Sequence, residues 1–203
     1  HGDTLYSSMV SDSLGNEFRR LLIFYDVRFF RKDMQGKCDS LSYSTTDSTF
    51  KMYRDPIVWD DSTQITGDTI YLLTKNDQPD TLKVLSNAFM VSRADSIRYN
   101  QVKGRLMIGN FQKGELRKVY VNGNGEAVYY PKEEDGDYLG MNRSICSRIL
   151  IRLVNSEVKR LTWIGKPEGV MHPMDKIPND RKTLEGFSPR FDERPLNKVD
   201  LFK

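Results

Sequence analysis

The residues whose chemistry recurs in this chain are aspartates placed where a strand is expected to begin. Asp39, Asp68 and Asp95 are each followed by Ser or Thr and then by Leu or Ile. Paired carboxylates are the catalytic groups of glycosidases, so a stacked row of these acids would indicate a carbohydrate-active enzyme. Alternatively, Asp followed by Ser or Thr hydrogen-bonds its own backbone and shapes a turn. We favour the turn, because a residue that recurs in every repeat more often serves the scaffold.

Other reactive side chains are sparse. The two histidines, His1 and His172, lie too far apart in the chain to indicate a zinc site. Cys38 and Cys146 are also distant, and two cysteines do not identify a redox compartment. Cys38 precedes a repeat aspartate, as Gly67 does, which predicts a small buried residue. No nucleophile elbow, phosphate-binding loop or dinucleotide fingerprint occurs, so we predict neither catalytic residues nor a metal site.

Residues 67–91 form the unit that the rest of the chain repeats. Ile70 and Leu72 alternate with other side chains, and after a polar turn Leu82 and Val84 do the same. Successive side chains of a strand point to opposite faces, so each pair shares one face. This pattern is typical of a β-hairpin.

The same unit recurs along the chain as two apolar residues at positions i and i+2, a polar or small corner, and a new apolar run. The first apolar residues are Leu21, Phe50, Leu82, Val119 and Leu161, which are 29 to 42 residues apart. The corners are residues 25–26, 54–56, 86–87, 122–125 and 165–167. Self-similarity at this period, with almost no helical periodicity, predicts an all-β, elongated, solenoid-like stack of antiparallel strands.

Length and charge narrow the function classes. The 203 residues carry a formal net charge of only +3, which is too balanced to indicate a nucleic-acid partner. No apolar run reaches the roughly 18 residues of a membrane-spanning helix. Because the chain opens inside a repeat motif at residues 2–5, we expect it to be part of a longer protein.

The composition changes near the C-terminus. Five of the eight prolines lie at Pro167 and beyond, and proline cannot donate to a strand ladder. We therefore divide the chain into an array of repeats at residues 1–174 and a proline-rich tail at residues 175–203 that packs on the array or extends from it. The expected docking residues of the tail are Phe187, Phe191, Leu201 and Phe202.

The alternating apolar residues define a candidate interior with two interpretations, a sealed core or an open groove for an acyl chain. A groove would gain about 0.8 kcal/mol for each methylene that it buries. Periodicity does not separate the two. The candidate groove residues are Ile70, Leu72, Leu82, Val84, Ile97, Tyr99, Leu106, Ile108, Val119, Val121, Ile149, Ile151, Leu161 and Trp163.

Several of these segments resemble the repeats of the OstA/LptA-like family, and among them the OstA-like proteins of Bacteroidetes-type bacteria. The matching stretches are Gly-Asp-Thr-Ile at 67–70, Ala-Asp-Ser-Ile-Arg-Tyr-Asn at 94–100, residues 104–111, and the block Gly-Asn-Gly-Glu-Ala-Val-Tyr-Tyr at 123–130. The resemblance extends from about Leu21 to Met174. It implies a twisted β-jelly-roll without catalytic residues or a cofactor.

The resemblance also implies a function. Members of this family act in the periplasm of Gram-negative bacteria and carry lipopolysaccharide towards the outer membrane, with its acyl chains in the groove. They join one another through open strand edges. We therefore expect a non-enzymatic module that binds lipopolysaccharide or a similar acylated glycolipid, and that pairs with other OstA/Lpt-type proteins or with a second copy of itself.

Two alternatives from other function classes stay open. A structural β-array that mediates assembly by edge-strand addition would have a sealed interior. A solenoid carbohydrate-active enzyme would have a surface cleft with acids and aromatic residues. The space between the strand layers distinguishes these alternatives from a lipid carrier.

Overall fold

The computed structural model describes residues 1–133 and 135–202, and this part of the chain consists of thirteen antiparallel strands and four short 3-10 helices. The strands are β1 (Thr4–Ser11), β2 (Glu17–Phe30), β3 (Gln35–Ser44), β4 (Thr49–Tyr53), β5 (Ile57–Asp60), β6 (Thr63–Thr66), β7 (Thr69–Lys75), β8 (Gln78–Arg93), β9 (Tyr99–Gln112), β10 (Glu115–Tyr129), β11 (Met141–Val154), β12 (Glu157–Ile164) and β13 (Glu168–His172). The prediction of an all-β antiparallel fold is confirmed.

The strands form two layers that share their long members. The first layer has the order β1-β2-β3-β4-β7-β8-β9-β10-β11-β12. The second layer uses the other halves of the long strands, in the order β2-β3-β5-β6-β8-β9-β10-β11-β13. One apolar cluster contains residues from both layers, so the layers pack face to face as a β-jelly-roll.

The chain passes from one layer to the other at the corners expected from the sequence. Each corner contains two successive residues in the left-handed region, with φ between 48° and 80°. These pairs are Tyr25–Asp26, Arg54–Asp55, Ser86–Asn87, Gly123–Asn124 and Gly165–Lys166. Extra residues in this conformation bulge a strand out of its ladder and turn it sharply, which sends the chain into the second layer.

Two of the three recurrent aspartates bind these corners, and the third shapes a turn. The amide of Asp68 donates to the carbonyl of Ser86 (3.1 Å), and Asp39 makes the same bond to Arg54 (3.1 Å). Asp39 lies inside β3 and not at its start. Asp95 also differs from the prediction, because it lies in the turn between β8 and β9. Its carboxylate accepts hydrogen bonds from the amides two and three residues further along (2.9 and 2.8 Å). The turn-shaping interpretation therefore describes Asp95, whereas Asp39 and Asp68 bind the corner of a neighbouring strand through their main-chain amides.

Residues 173–202, which we call the strap, run across the outer face of the second layer. Gln101 on that face donates to the carbonyl of Lys182 and accepts from the amide of Leu184 (both 2.8 Å). Gln64 lies two strands away and binds the strap in the same way, six residues further along. Its side chain donates to the carbonyl of Ser188 (2.9 Å) and accepts from the amide of Arg190 (2.7 Å). These buried amides bind main-chain groups, so they hold the strap in an extended path.

Apolar side chains lie beneath the strap. The buried members of this second cluster are Phe89, Val91, Val128, Tyr130, Met141 and Leu184. Phe187 and Phe191 of the strap pack against it. The strap ends at the opposite edge of the layer, where the Phe202 ring contacts the His1 ring at 5.1 Å between centroids. The strap thus crosses the whole second layer.

Opposite the corners, turns of the two layers meet along a line that we call the seam. Asp60 of the second layer is buried there, and its carboxylate accepts from the Leu116 amide (3.2 Å) and the Ser156 hydroxyl (3.3 Å) of the first layer. Burial raises the pKa of Asp60 to about 6. An ionised carboxylate with little access to water is costly, so the seam is most stable when Asp60 is protonated.

The two hydrogen bonds from the Gln101 side chain to the strap predict that loss of this side chain destabilises the protein. Gln101→Ala removes two hydrogen bonds and leaves an amide and a carbonyl unpaired under the strap, so we expect unfolding in denaturant to require about 2 kcal/mol less. Gln112→Ala changes an exposed glutamine at the end of the same strand and should cost less than about 0.5 kcal/mol. Equal losses for the two variants would contradict this role.

The Asp60 carboxyl predicts a pH dependence. Its pKa is higher in the folded state than the ordinary 3.8, so its contribution to stability is present below pH 3.8 and is lost as the pH rises through about 6. Asp60→Asn removes this titration. Relative to the wild type, the variant should gain up to about 3 kcal/mol of unfolding free energy between pH 4 and pH 7. The control variant Asp61→Asn, which changes the exposed neighbouring residue, should show no such gain in unfolding free energy.

Candidate functional site

The first layer presents two continuous apolar rows to the interior, because directly opposed residues of paired strands point to the same face. One row is Ile23, Leu41, Met52, Ile70, Val84, Met107, Val121, Ile149 and Trp163. The second row is Leu21, Tyr43, Phe50, Leu72, Leu82, Gly109, Val119, Ile151 and Leu161. The second layer contributes Val58, Ile65, Met90, Val102 and Ala127 to the same cluster.

Ten of the fourteen predicted groove residues lie in these two rows. They are Ile70, Leu72, Leu82, Val84, Val119, Val121, Ile149, Ile151, Leu161 and Trp163. The alternation within each strand was sufficient to place them on the interior face.

The other four predicted residues lie elsewhere. Leu106 and Ile108 are on the outer face, because Met107 between them pairs with Val84 and faces inward. Ile97 lies in the turn after β8 and is 73% exposed. Tyr99 packs its ring against Phe187 of the strap at 5.6 Å between centroids. β9 bends beside the corners of β8 and β10, and its alternation reverses there, since Val102 in one half and Met107 in the other both face the interior. Counting from one half therefore assigns the wrong face in the other.

The interior is filled at one end and open at the other. Val121 and Ile151 are fully buried, and the core around them is sealed. Towards β1, a cavity of about 310 Å³ remains between the layers, which we call the apolar cavity. Its first-layer walls include Leu21, Ile23, Leu41, Tyr43, Phe50, Met52 and Leu72, and its second-layer walls include Val27, Phe29 and Met34. The volume is at the lower end of ligand-binding pockets.

The apolar cavity lies at the end of the array that holds few of the predicted groove residues. Of the fourteen predicted residues, only Leu72 lines the apolar cavity. Leu21 and Phe50 had the same alternation and were recognised as the first apolar residues of two repeats. The rings of Tyr43 and Phe50 stack along the wall (4.4 Å between centroids, 27° between planes). The position of Phe50 in a row was visible in the sequence, whereas the gap in front of its ring was not.

Polar groups form the rim of the apolar cavity at the seam. The guanidinium of Arg31, from the β2–β3 turn, donates to the carbonyl of Asp77 and the side chain of Gln78 (both 2.9 Å) in the first layer. Asp33 holds the same guanidinium through a salt bridge (3.1 Å). Arg31 therefore closes the seam where the cavity would otherwise open sideways.

The strand β1 forms an edge of the first layer that is suited to pairing. Residues 4–11 contain neither a charged residue nor a proline, and Leu5, Tyr6 and Met9 are 60%, 61% and 59% exposed. Soluble proteins protect free edges with charges, prolines or bulges, so an edge without them is able to accept another strand.

Metal and thiol chemistry have little support in the described residues. No group of three His, Cys, Asp or Glu side chains among them could hold a metal ion. Cys38 and Cys146 are free, and burial raises the pKa of both thiols, that of Cys38 to about 12. Both therefore stay protonated at neutral pH. No helix in the described ranges is long and apolar enough to cross a membrane.

The sequence matches no protein-family model and no curated protein. The structure, however, is similar to the crystal structure of LptH, the LptA homologous periplasmic component of the conserved lipopolysaccharide transport device from Pseudomonas aeruginosa. The TM-score is 0.51, and the match covers 70% of this chain and 100% of the LptH chain at 14% sequence identity. At this identity the likeness concerns the fold. The protein has the OstA/LptA-like β-jelly-roll fold that its repeats predicted.

Proposed function

We propose that this protein is a non-enzymatic carrier of an acylated glycolipid, lipopolysaccharide or a similar molecule, in the periplasm of a Gram-negative bacterium. In this proposal the acyl part of the lipid lies between the two strand layers, and the protein passes it towards the outer membrane. The observation that carries the proposal is the apolar cavity inside an OstA/LptA-like fold.

The size of the apolar cavity favours a ligand over a sealed interior. The space of about 310 Å³ is open at one end, so its apolar walls contact water. Apolar surface that stays in water forgoes about 25 cal/mol per Å² relative to buried surface. An acyl chain in the same space would gain about 0.8 kcal/mol per methylene. A lipid would thus cover apolar walls that a sealed structural array would have buried by packing.

The β1 edge supports the second part of the proposal, which concerns partners. Its backbone groups and exposed apolar side chains suit an added strand from another OstA/Lpt-type β-jelly-roll or from a second copy of this chain. The row of interior residues would continue across such a junction, because the added strand has the same alternation. The same edge also suits the alternative function, a structural array that assembles by strand addition without carrying lipid.

A photo-crosslinking experiment tests the lipid path. A benzophenone amino acid in place of Phe50 would stand in the cavity wall, so we expect it to capture lipopolysaccharide in cells. Tyr71, an aromatic residue on the neighbouring strand β7, pairs with Lys51 and Lys83 on the outer face and is the matched control. Capture should be confined to position 50.

Native mass spectrometry of the purified protein distinguishes the two functions. A carrier should retain a co-purified acylated lipid, and substitution of Leu41 by Trp, which fills the cavity, should remove it. A protein without lipid, together with equal labelling at positions 50 and 71, would favour the structural array.

A further inference from the structure

A second cavity lies along the seam next to the apolar one. It has a volume of about 860 Å³ and is open to solvent, and we call it the polar cavity. Its lining includes the cationic side chains of Arg31, Lys32, Arg194 and Lys198, and the buried pair Asp60 and Ser156. We infer that the polar cavity binds the phosphorylated sugar headgroup of the lipid whose acyl part occupies the apolar cavity; this inference rests on the proposed function.

The two cavities are neighbours in the fold. Phe30 and Arg31 line both of them, so one residue pair of the β2–β3 turn forms the boundary. On one side of this boundary the walls are aliphatic and aromatic, and on the other side they are charged. An amphipathic molecule matches that division, with its chains inside the layers and its headgroup at the seam.

The unneutralised charge in the polar cavity is positive. Lys32 and Lys198 are exposed and have no salt bridge within the described residues. Arg194 is held by neutral acceptors, since its Nε donates to the Gln35 side chain (2.6 Å) and its Nη1 donates to the Asp61 carbonyl. Three cations are therefore available to a ligand.

Most of the lining acids are already engaged. Asp33 forms a salt bridge with Arg31, and Glu115 forms one with Arg117 (2.8 Å). Asp60 accepts its two hydrogen bonds from across the seam. Asp60 and the exposed Asp61 have no cationic partner among the described residues, so two unpaired acids stand against the three available cations. The balance favours an anion, and guanidinium and ammonium groups are the usual phosphate-binding side chains.

The strap supplies half of this charge. Arg194 and Lys198 belong to it, whereas Arg31 and Lys32 belong to the β2–β3 turn. The polar cavity therefore exists only when the strap lies across the second layer. This gives the strap a part in ligand selection as well as in stability.

The test compares two lipids with identical acyl chains, a diphosphorylated acylated glucosamine disaccharide and its dephosphorylated form. The double variant Lys32→Glu/Lys198→Glu should bind the phosphorylated lipid at least about tenfold more weakly than the wild type does, with little change for the dephosphorylated one. Lys166→Glu/Lys176→Glu changes the net charge equally at exposed lysines outside the polar cavity, and should bind both lipids as the wild type does.

The outcomes separate the two proposals. If the wild type binds both lipids equally and the Lys32/Lys198 variant changes neither affinity, the headgroup site is wrong and the carrier function stands. If the wild type binds neither lipid, the carrier function itself fails. Inorganic phosphate should compete only at millimolar concentration or above; competition as effective as that of the phosphorylated lipid would assign the cavity to free phosphate and overturn the headgroup site.

Discussion

The corner at which a strand leaves one layer and enters the other is the constraint on which this structure depends. Two left-handed residues turn the chain, and at three of the corners the neighbouring strand places a glycine beside them. A Cβ on Gly67 would stand 2.4 Å from Cγ1 of Val84, and Gly2 and Gly104 are equally crowded at two other corners. With the corners in place, one chain builds both walls of the interior, and the opposite ends of the strands become hairpin turns.

A two-layer fold joined covalently along one side must be held by weaker contacts along the other. In this protein those contacts are polar and few: Arg31 reaches the β7–β8 turn, and Asp60 binds Leu116 and Ser156. Elsewhere along the interior, apolar packing is tight enough to hold the layers. The polar contacts therefore matter most beside the apolar cavity, where there is less packing to hold the seam closed.

The strap stabilises the second layer from outside, by a mechanism different from strand pairing. Gln64 and Gln101 present side-chain amides to the main chain of the strap, with the donor and acceptor spacing of a peptide group. Because the two glutamines bind main-chain groups, they do not restrict the amino-acid sequence of the strap. Side chains of the strap are therefore able to make other contacts. Phe187 and Phe191 cover the apolar outer face, while Arg194 and Lys198 turn towards the polar cavity.

The sequence by itself determined the features that depend on neighbouring residues. Alternation placed Val84, Val121 and Ile151 on the interior face, and the polar corners appeared where they were predicted, because both follow from local backbone preferences. Only the tertiary structure decided which face of β9 points inward, since its alternation reverses between Tyr99 and Met107 beside the corners of β8 and β10. It also decided where the cavity lies and where the strap runs. The position of the cavity depends on the distance between two layers, and the path of the strap depends on partners many residues away. A local sequence pattern therefore predicts neither.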